Sequence, residues 1–144
     1  MPTKSIDKQW VDVLADVPIF QGLSRRHLSR IAGMATLQEV APHTQIVRAG
    51  EPGDAFYVII DGHAEARQPG HKGVEMGSGD FFGEMALLDG GPRSAIVEAK
   101  TQLLALRIGR APFQTMLEKE GSVAAQMLRT MAERLRAANA RVSD

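Results

Sequence analysis

The chain contains no cysteine, which excludes disulfides and thiolate metal sites and fits a cytosolic protein. No apolar run approaches the roughly 18 residues that a membrane-spanning helix needs. The first residues, Met1-Pro2-Thr3-Lys4-Ser5-Ile6-Asp7, lack the apolar stretch of a secretory signal. The expected location is therefore the cytoplasm. An excess of either charge is also missing: Lys+Arg and Asp+Glu both number 17. Balance of this kind argues against a non-specific nucleic-acid binder, whose affinity rests on a basic surplus, though a local basic patch stays open. There is no internal repeat, long linker or low-complexity tract.

What is present is ordinary globular material. Hydrophobic residues make up 44% and charged residues 24% of 144 positions, enough for one domain with a real core. Ile6, Trp10, Val13 and Leu14 recur at helical spacing over residues 6–16. Val17-Pro18 breaks that helix, because the residue before proline avoids the helical region. Ser24 is an N-cap for a second helix carrying Leu28, Ile31 and Ala32. From Thr36 the period shifts to two. Short strands are expected over 37–40, 44–48, 56–61, 63–67, 73–76, 94–99 and 103–108, with another ending at Phe81-Phe82. Turn signals separate them, and Asp61-Gly62 reads as a two-residue hairpin. Such spacing points to a jelly-roll or barrel-like sandwich. Pro112 fits the first turn of a helix reaching Leu117 or Glu118. Gly121 and Ser122 then precede a last helix over 123–140, with an apolar stripe of Val123, Met127, Met131 and Leu135, flanked by Ala124, Leu128 and Ala132.

Residues 79–99 carry the chemistry. Gly83 turns the backbone after Phe81-Phe82, and Glu84 to Leu88 form a short helical turn. Unpaired N–H groups at the start of such a turn attract an anion. Arg93 follows Glu84 across a Gly-Gly-Pro turn that folds it back to the same spot. Its planar, permanently charged fork suits a phosphate in two-point contact. A carboxylate beside a phosphate needs a hydroxyl to face, and a ribose supplies one. An anion with an adjacent hydroxyl describes a nucleotide.

Phe82-Gly83-Glu84-Met85-Ala86-Leu87, Pro92-Arg93-Ser94-Ala95 and Val97 resemble the phosphate-binding cassette of the cyclic nucleotide-binding domain family. That family includes protein kinase A regulatory subunits, cyclic-nucleotide-gated channels and the catabolite activator protein. The resemblance covers about residues 14–140 and implies a mainly β fold: a double-stranded β-helix or jelly-roll β-roll with N-terminal and C-terminal helices. One domain would fill 1–144, with helices over 1–35, the roll over 36–108 containing the cassette 79–99, and helices over 109–144. By the same resemblance Glu84 holds the ribose 2′-hydroxyl. Arg93 holds the cyclic phosphate, helped by backbone N–H groups at Gly83, Met85, Ala86 and Ser94. Gly50, Gly53, Phe56, Tyr57, Ile59 and Gly62 turn and fill the roll. The last helix closes over the base as a lid, with Met127, Leu128, Met131, Arg129 and Arg134 as candidates.

The implied function is a cyclic mononucleotide sensor that switches its C-terminal helices on binding and performs no chemistry. It takes no cofactor and no metal, and acts on an effector protein that the sequence does not name. In the family, threonine at the Ser94 position often accompanies cyclic GMP and alanine cyclic AMP. Serine occurs in cyclic AMP receptors, so the reading favours cyclic AMP, with cyclic GMP the other choice. Ile96, where the family often has threonine, departs mildly from the pattern and reads as core. A degenerate β-roll that binds partners and no nucleotide is the alternative. A β-sandwich enzyme or metal protein is a remoter one, because His27, His43, His63 and His71 offer no two-apart histidine pair on one strand. His63 and Glu65, beside a turn, read as solvated. Arg25, Arg26 and Arg30 read as a solvated helix face. Cyclic di-GMP has two phosphates and would need a second basic anchor that the sequence does not offer.

Overall fold

Proline and glycine punctuate this chain, and its elements form between them. The computed structural model describes residues 8–91, 93 and 95–143. They divide into two compact units, Met1–Gly33 with Thr115–Asp144, and Met34–Gln114.

The first unit is helical. α1 (Lys8–Ala15) ends before a 3-10 turn at Pro18–Phe20, and α2 (Arg25–Gly33) follows. The Ser24 hydroxyl accepts the His27 N–H at 3.1 Å, the cap that the sequence calls for. Leu14, Ile19, Phe20, Leu28 and Ile31 are buried. Glu120 separates α4 (Arg110–Lys119) from α5 (Gly121–Ser143). The expected break at Gly121 and Ser122 therefore falls one residue earlier, and both join α5. The Glu120 N–H donates back to the Met116 carbonyl at 2.8 Å, while the Glu120 carbonyl accepts from Val123 at 3.0 Å. Hydrogen bonds thus continue across the break and leave no gap for a loop. The Glu120 carboxylate meets His27 at 3.4 Å and also pairs with Arg30; Arg25 pairs with Asp12 at 3.1 Å. Two of the three arginines on the expected solvated face are therefore ion-paired. The buried stripe of α5 is Val123, Met127 and Thr130, and the Thr130 hydroxyl donates to the Gln21 carbonyl at 2.8 Å. Leu135 does not continue it: residues 132–137 are exposed, because the helix outruns its packing.

The second unit is an antiparallel β-roll. Its strands are β1 (Ala35–Val40), β2 (Gln45–Val47), β3 (Ala55–Asp61), β4 (Ala64–Arg67), β5 (Val74–Met76), β6 (Phe81–Phe82), β7 (Ile96–Ala99) and β8 (Leu103–Gly109), with α3 (Glu84–Asp89) between β6 and β7. One sheet runs β1-β8-β3-β6 and the other β2-β7-β4-β5. Ala55, Tyr57 and Ile59 alternate into the core between them, where they meet Val47, Ala64, Phe82, Val97, Leu103 and Ala105. Phe56 and Val58, on the other face of β3, are fully buried as well. Burial on both faces explains the unbroken apolar run in this strand.

Asp61-Gly62 is not a hairpin. β3 pairs with β6 and β8, and β4 pairs with β5 and β7, so the turn carries the chain from one sheet to the other. Gly62 has φ +100°, and a Cβ there would lie 2.4 Å from the Gln102 carbonyl oxygen. The glycine serves close backbone approach as well as a tight turn. Glu65 is half-buried rather than solvated, and accepts from Arg67 at 2.9 Å.

Candidate functional site

Two crossing segments fix Arg93. Its N–H donates to the Glu51 carbonyl at 2.8 Å, its carbonyl accepts from Gly50 at 2.9 Å, and Gly53 donates to Gly91 at 2.9 Å. The Gly50–Gly53 turn therefore clamps the stretch that carries the arginine. The Asp89 carboxylate accepts the Gly91 N–H at 2.8 Å, which shapes the glycine turn after α3. Gln114 Nε2 donates to the Leu87 carbonyl at 2.7 Å and lies 3.3 Å from that of Leu88. These are C-terminal carbonyls of α3 that the helix itself leaves unpaired.

The guanidinium is nearly enclosed. Arg93 retains 7% side-chain exposure, while Asp54, 3.7 Å away, retains 77%. Arg93 Nη2 donates to the Ala55 carbonyl at 2.8 Å. Nη1 is buried and has no hydrogen-bond partner. Such an atom is costly unless something arrives to pair with it. It lies against Gly83, where φ is +84° and a Cβ would sit 2.5 Å from Nη1. Only glycine lets the guanidinium lie there. Glu84 follows at the start of α3 and is half-buried.

A cavity of about 480 Å³ opens beside this arginine. Ile46, Val47 and Tyr57 give it an apolar wall, and Arg48, Glu51, Asp54 and Arg93 give it charge. The Tyr57 ring stacks on Phe82 at 5.0 Å, which fixes that wall in place. A mixed lining of this kind suits a ligand with one flat apolar part and one anionic part.

Arg93 and Gly83 thus lie against one another. Met85 and Ala86 are described by their backbone alone, within α3, and Ser94 lies outside the described residues. The lid candidates on α5 have unlike surroundings: Met127 is 3% exposed and Leu128 69%, while Met131 is half-buried. Arg129 is exposed and donates to the Gln126 side chain at 3.0 Å, and Arg134 is exposed as well. Sequence reasoning missed Asp54 and Arg107. Arg107 Nη2 lies 3.7 Å from Asp54 Oδ2. The signal was a lone cation inside an otherwise apolar strand, Leu103–Gly109.

The family model described as "Cyclic nucleotide-binding domain" matches residues 37–120. The chain belongs to that family. It is 42% identical over 106 residues to a cAMP-dependent protein kinase regulatory subunit of Yarrowia lipolytica, an alignment covering 72% of this chain and 28% of that protein. A cyclic nucleotide-gated potassium channel of Rhizobium etli is 36% identical over 127 residues, covering 88% of this chain and 35% of the channel. The chain therefore spans about a third of the length of these curated relatives. Among solved structures, the N-terminal domain of a transcriptional regulator from Streptomyces coelicolor superposes with a TM-score of 0.79 at 29% identity, covering 89% of this chain and 95% of that one. The Thermus thermophilus catabolite activator protein gives 0.66 at 26% identity, covering 88% and 62%. The antiparallel β-roll with its helices is thus the fold of the family.

Proposed function

We propose that this chain is a receptor module for one cyclic mononucleotide, cyclic AMP, and that it performs no catalysis. One observation carries the reading: a nearly enclosed arginine, its Nη1 buried without a partner, beside a cavity with an apolar wall. An incoming phosphate oxygen would supply the missing acceptor in a charge-assisted bond. The backbone N–H groups of Gly83, Met85, Ala86 and Ser94 share the anion, and Glu84 takes the ribose 2′-hydroxyl. Relatives whose names refer to cAMP or to cyclic nucleotides support the ligand class.

The reading extends to a switch. Filling the site tightens the cassette and favours one position of the C-terminal helices, and Met127, Leu128, Met131, Arg129 and Arg134 of α5 are the candidates from which the cover over the base is drawn. A ligand shifts such an equilibrium only by its preference for one state. The whole of 1–144 then acts as one sensor domain in the cytoplasm, and its output passes to an effector protein.

Calorimetric titration with cyclic AMP, cyclic GMP and cyclic di-GMP on one preparation tests the proposal. The expected result is saturable binding of cyclic AMP at one site per chain, tighter than cyclic GMP and far tighter than cyclic di-GMP. A ten-fold preference for cyclic GMP overturns the choice of base. No heat and no thermal shift with any of the three overturns the receptor reading and leaves an interaction domain. A hundred-fold excess over Kd stabilises the fold by roughly 2.7 kcal/mol, so binding is visible in a melt. Equal hydrogen-exchange protection of α5 with and without nucleotide removes the switch and spares the binding.

A further inference from the structure

We infer that Arg107 is a positioning residue that sets the affinity of the Arg93 site, by holding the Asp54 carboxylate whenever an anion occupies Arg93. The inference rests on reading Arg93 as the phosphate anchor. Asp54 stands between two arginines. Its Oδ1 lies 3.7 Å from Arg93 Nη2, and its Oδ2 lies 3.7 Å from Arg107 Nη2. Both separations exceed the ~2.8 Å of a formed charge-assisted bond. The carboxylate is shared, committed to neither side, and at 77% exposure it has room to move. The sheet dictates this placement. Tyr57 of β3 pairs with Arg107 of β8, so Arg107 extends the Leu103 and Ala105 row at the end where Asp54 enters β3.

A phosphate arriving at Arg93 repels the Asp54 carboxylate. With Arg107 present, the carboxylate keeps a cation by moving to the far side. Without it, Arg93 is the only cation within 4 Å of Asp54 among the described residues. The carboxylate then competes with the ligand for the same guanidinium. The arginine on β8 therefore strengthens binding through a group that opposes it.

The signs separate this from ordinary attraction at a distance. If Arg107 acts only as a remote positive charge, removing Asp54 unmasks that charge, and losing Arg107 then costs at least as much affinity as before. If Arg107 acts through Asp54, the cost disappears. Calorimetric titration of cyclic AMP into wild type, Arg107→Met, Asp54→Asn and the double variant decides between them, with circular dichroism and melting to confirm the fold. Arg107→Gln replaces the methionine variant if that one unfolds. An exposed pair of this kind corresponds to about a two- to five-fold change in Kd. The expected results are a loss of that size for Arg107→Met, a gain for Asp54→Asn, no further change on adding Arg107→Met to it, and recovery of most of the loss by Arg107→Lys. An equal or larger loss in the Asp54→Asn background overturns the inference, as does an unchanged affinity for Arg107→Met. A blank titration of wild type removes the receptor reading together with this inference, whereas a binding wild type with equal losses in both backgrounds removes the inference alone.

Discussion

Replacing Arg93 by methionine separates what a buried guanidinium does for folding from what it does for a ligand. The folded chain holds this cation at 7% exposure, with one short hydrogen bond to the Ala55 carbonyl and an unpaired Nη1. Removing an ion from water costs several kcal/mol. The charged hydrogen bond returns about 1.5–3 kcal/mol. The distant, exposed Asp54 adds at most about 1 kcal/mol. These contributions nearly cancel, and methionine keeps the apolar stem that the side chain packs. The variant is therefore expected to unfold in urea within about 1.5 kcal/mol of wild type, with stabilisation as acceptable as loss. Binding behaves differently. Losing the partner of a desolvated anion costs roughly 2–5 kcal/mol, which is on the order of thirty-fold to several thousand-fold in Kd. Arg93→Lys should fall between, because an ammonium cannot make the planar two-point contact. Urea titration without nucleotide and calorimetry with cyclic AMP read the two effects separately. A stability loss above about 3 kcal/mol would mark the arginine as structural, and an affinity change below about three-fold would refute its role as anchor.

Gly83→Ala forces a methyl group to within 2.5 Å of Arg93 Nη1 at φ +84°. The backbone strain costs roughly 1–2 kcal/mol, and calorimetry should show affinity falling more than about ten-fold as the guanidinium is displaced. Gly62→Ala meets backbone, 2.4 Å from the Gln102 oxygen and 2.9 Å from Leu103 Cα; urea unfolding should register a loss above about 2 kcal/mol. Gly33→Ala meets nothing within 4 Å and has no positive φ, so a gain of about 0.4–1 kcal/mol is expected in the same assay. Ser24→Ala removes the acceptor for His27 N–H and should lower stability by about 1 kcal/mol.

Much of this fold was legible because its punctuation is local. Ser24 caps α2 as its position implies, and the strands lie between the glycine and proline turns within a residue or two. Pairing was not legible. Asp61-Gly62 has hairpin chemistry, yet the partners of β3 are β6 and β8, farther along the chain, and the Asp61 side of the turn ends in one sheet while Ala64 begins in the other. The Glu120 break was hidden for a related reason: Gly121 and Ser122 are weak helix formers, but the Met116 and Val123 hydrogen bonds around Glu120 carry the helices through. At the site, Arg93 stood out because its neighbours form a long pattern. Asp54 and Arg107 did not, since more than fifty residues separate them and only the β3–β8 register brings them together. Leu135 looked like core by spacing alone, and spacing says nothing about whether a partner surface reaches that turn.

The position of β8 has a consequence for how the protein is made. It is the last strand among the described residues, yet it sits between β1 and β3 in its sheet, and Ala35 waits for Ile108, more than seventy residues downstream. At about 5–20 residues per second, translation leaves those strand edges open for roughly 4–15 s. During that interval the nascent polypeptide offers apolar, unpaired β surface to chaperones and to neighbouring chains on the same polysome. Yield in cells should therefore respond to elongation rate and holdase supply well before it responds to equilibrium stability, since closure must await the arrival of its central strand.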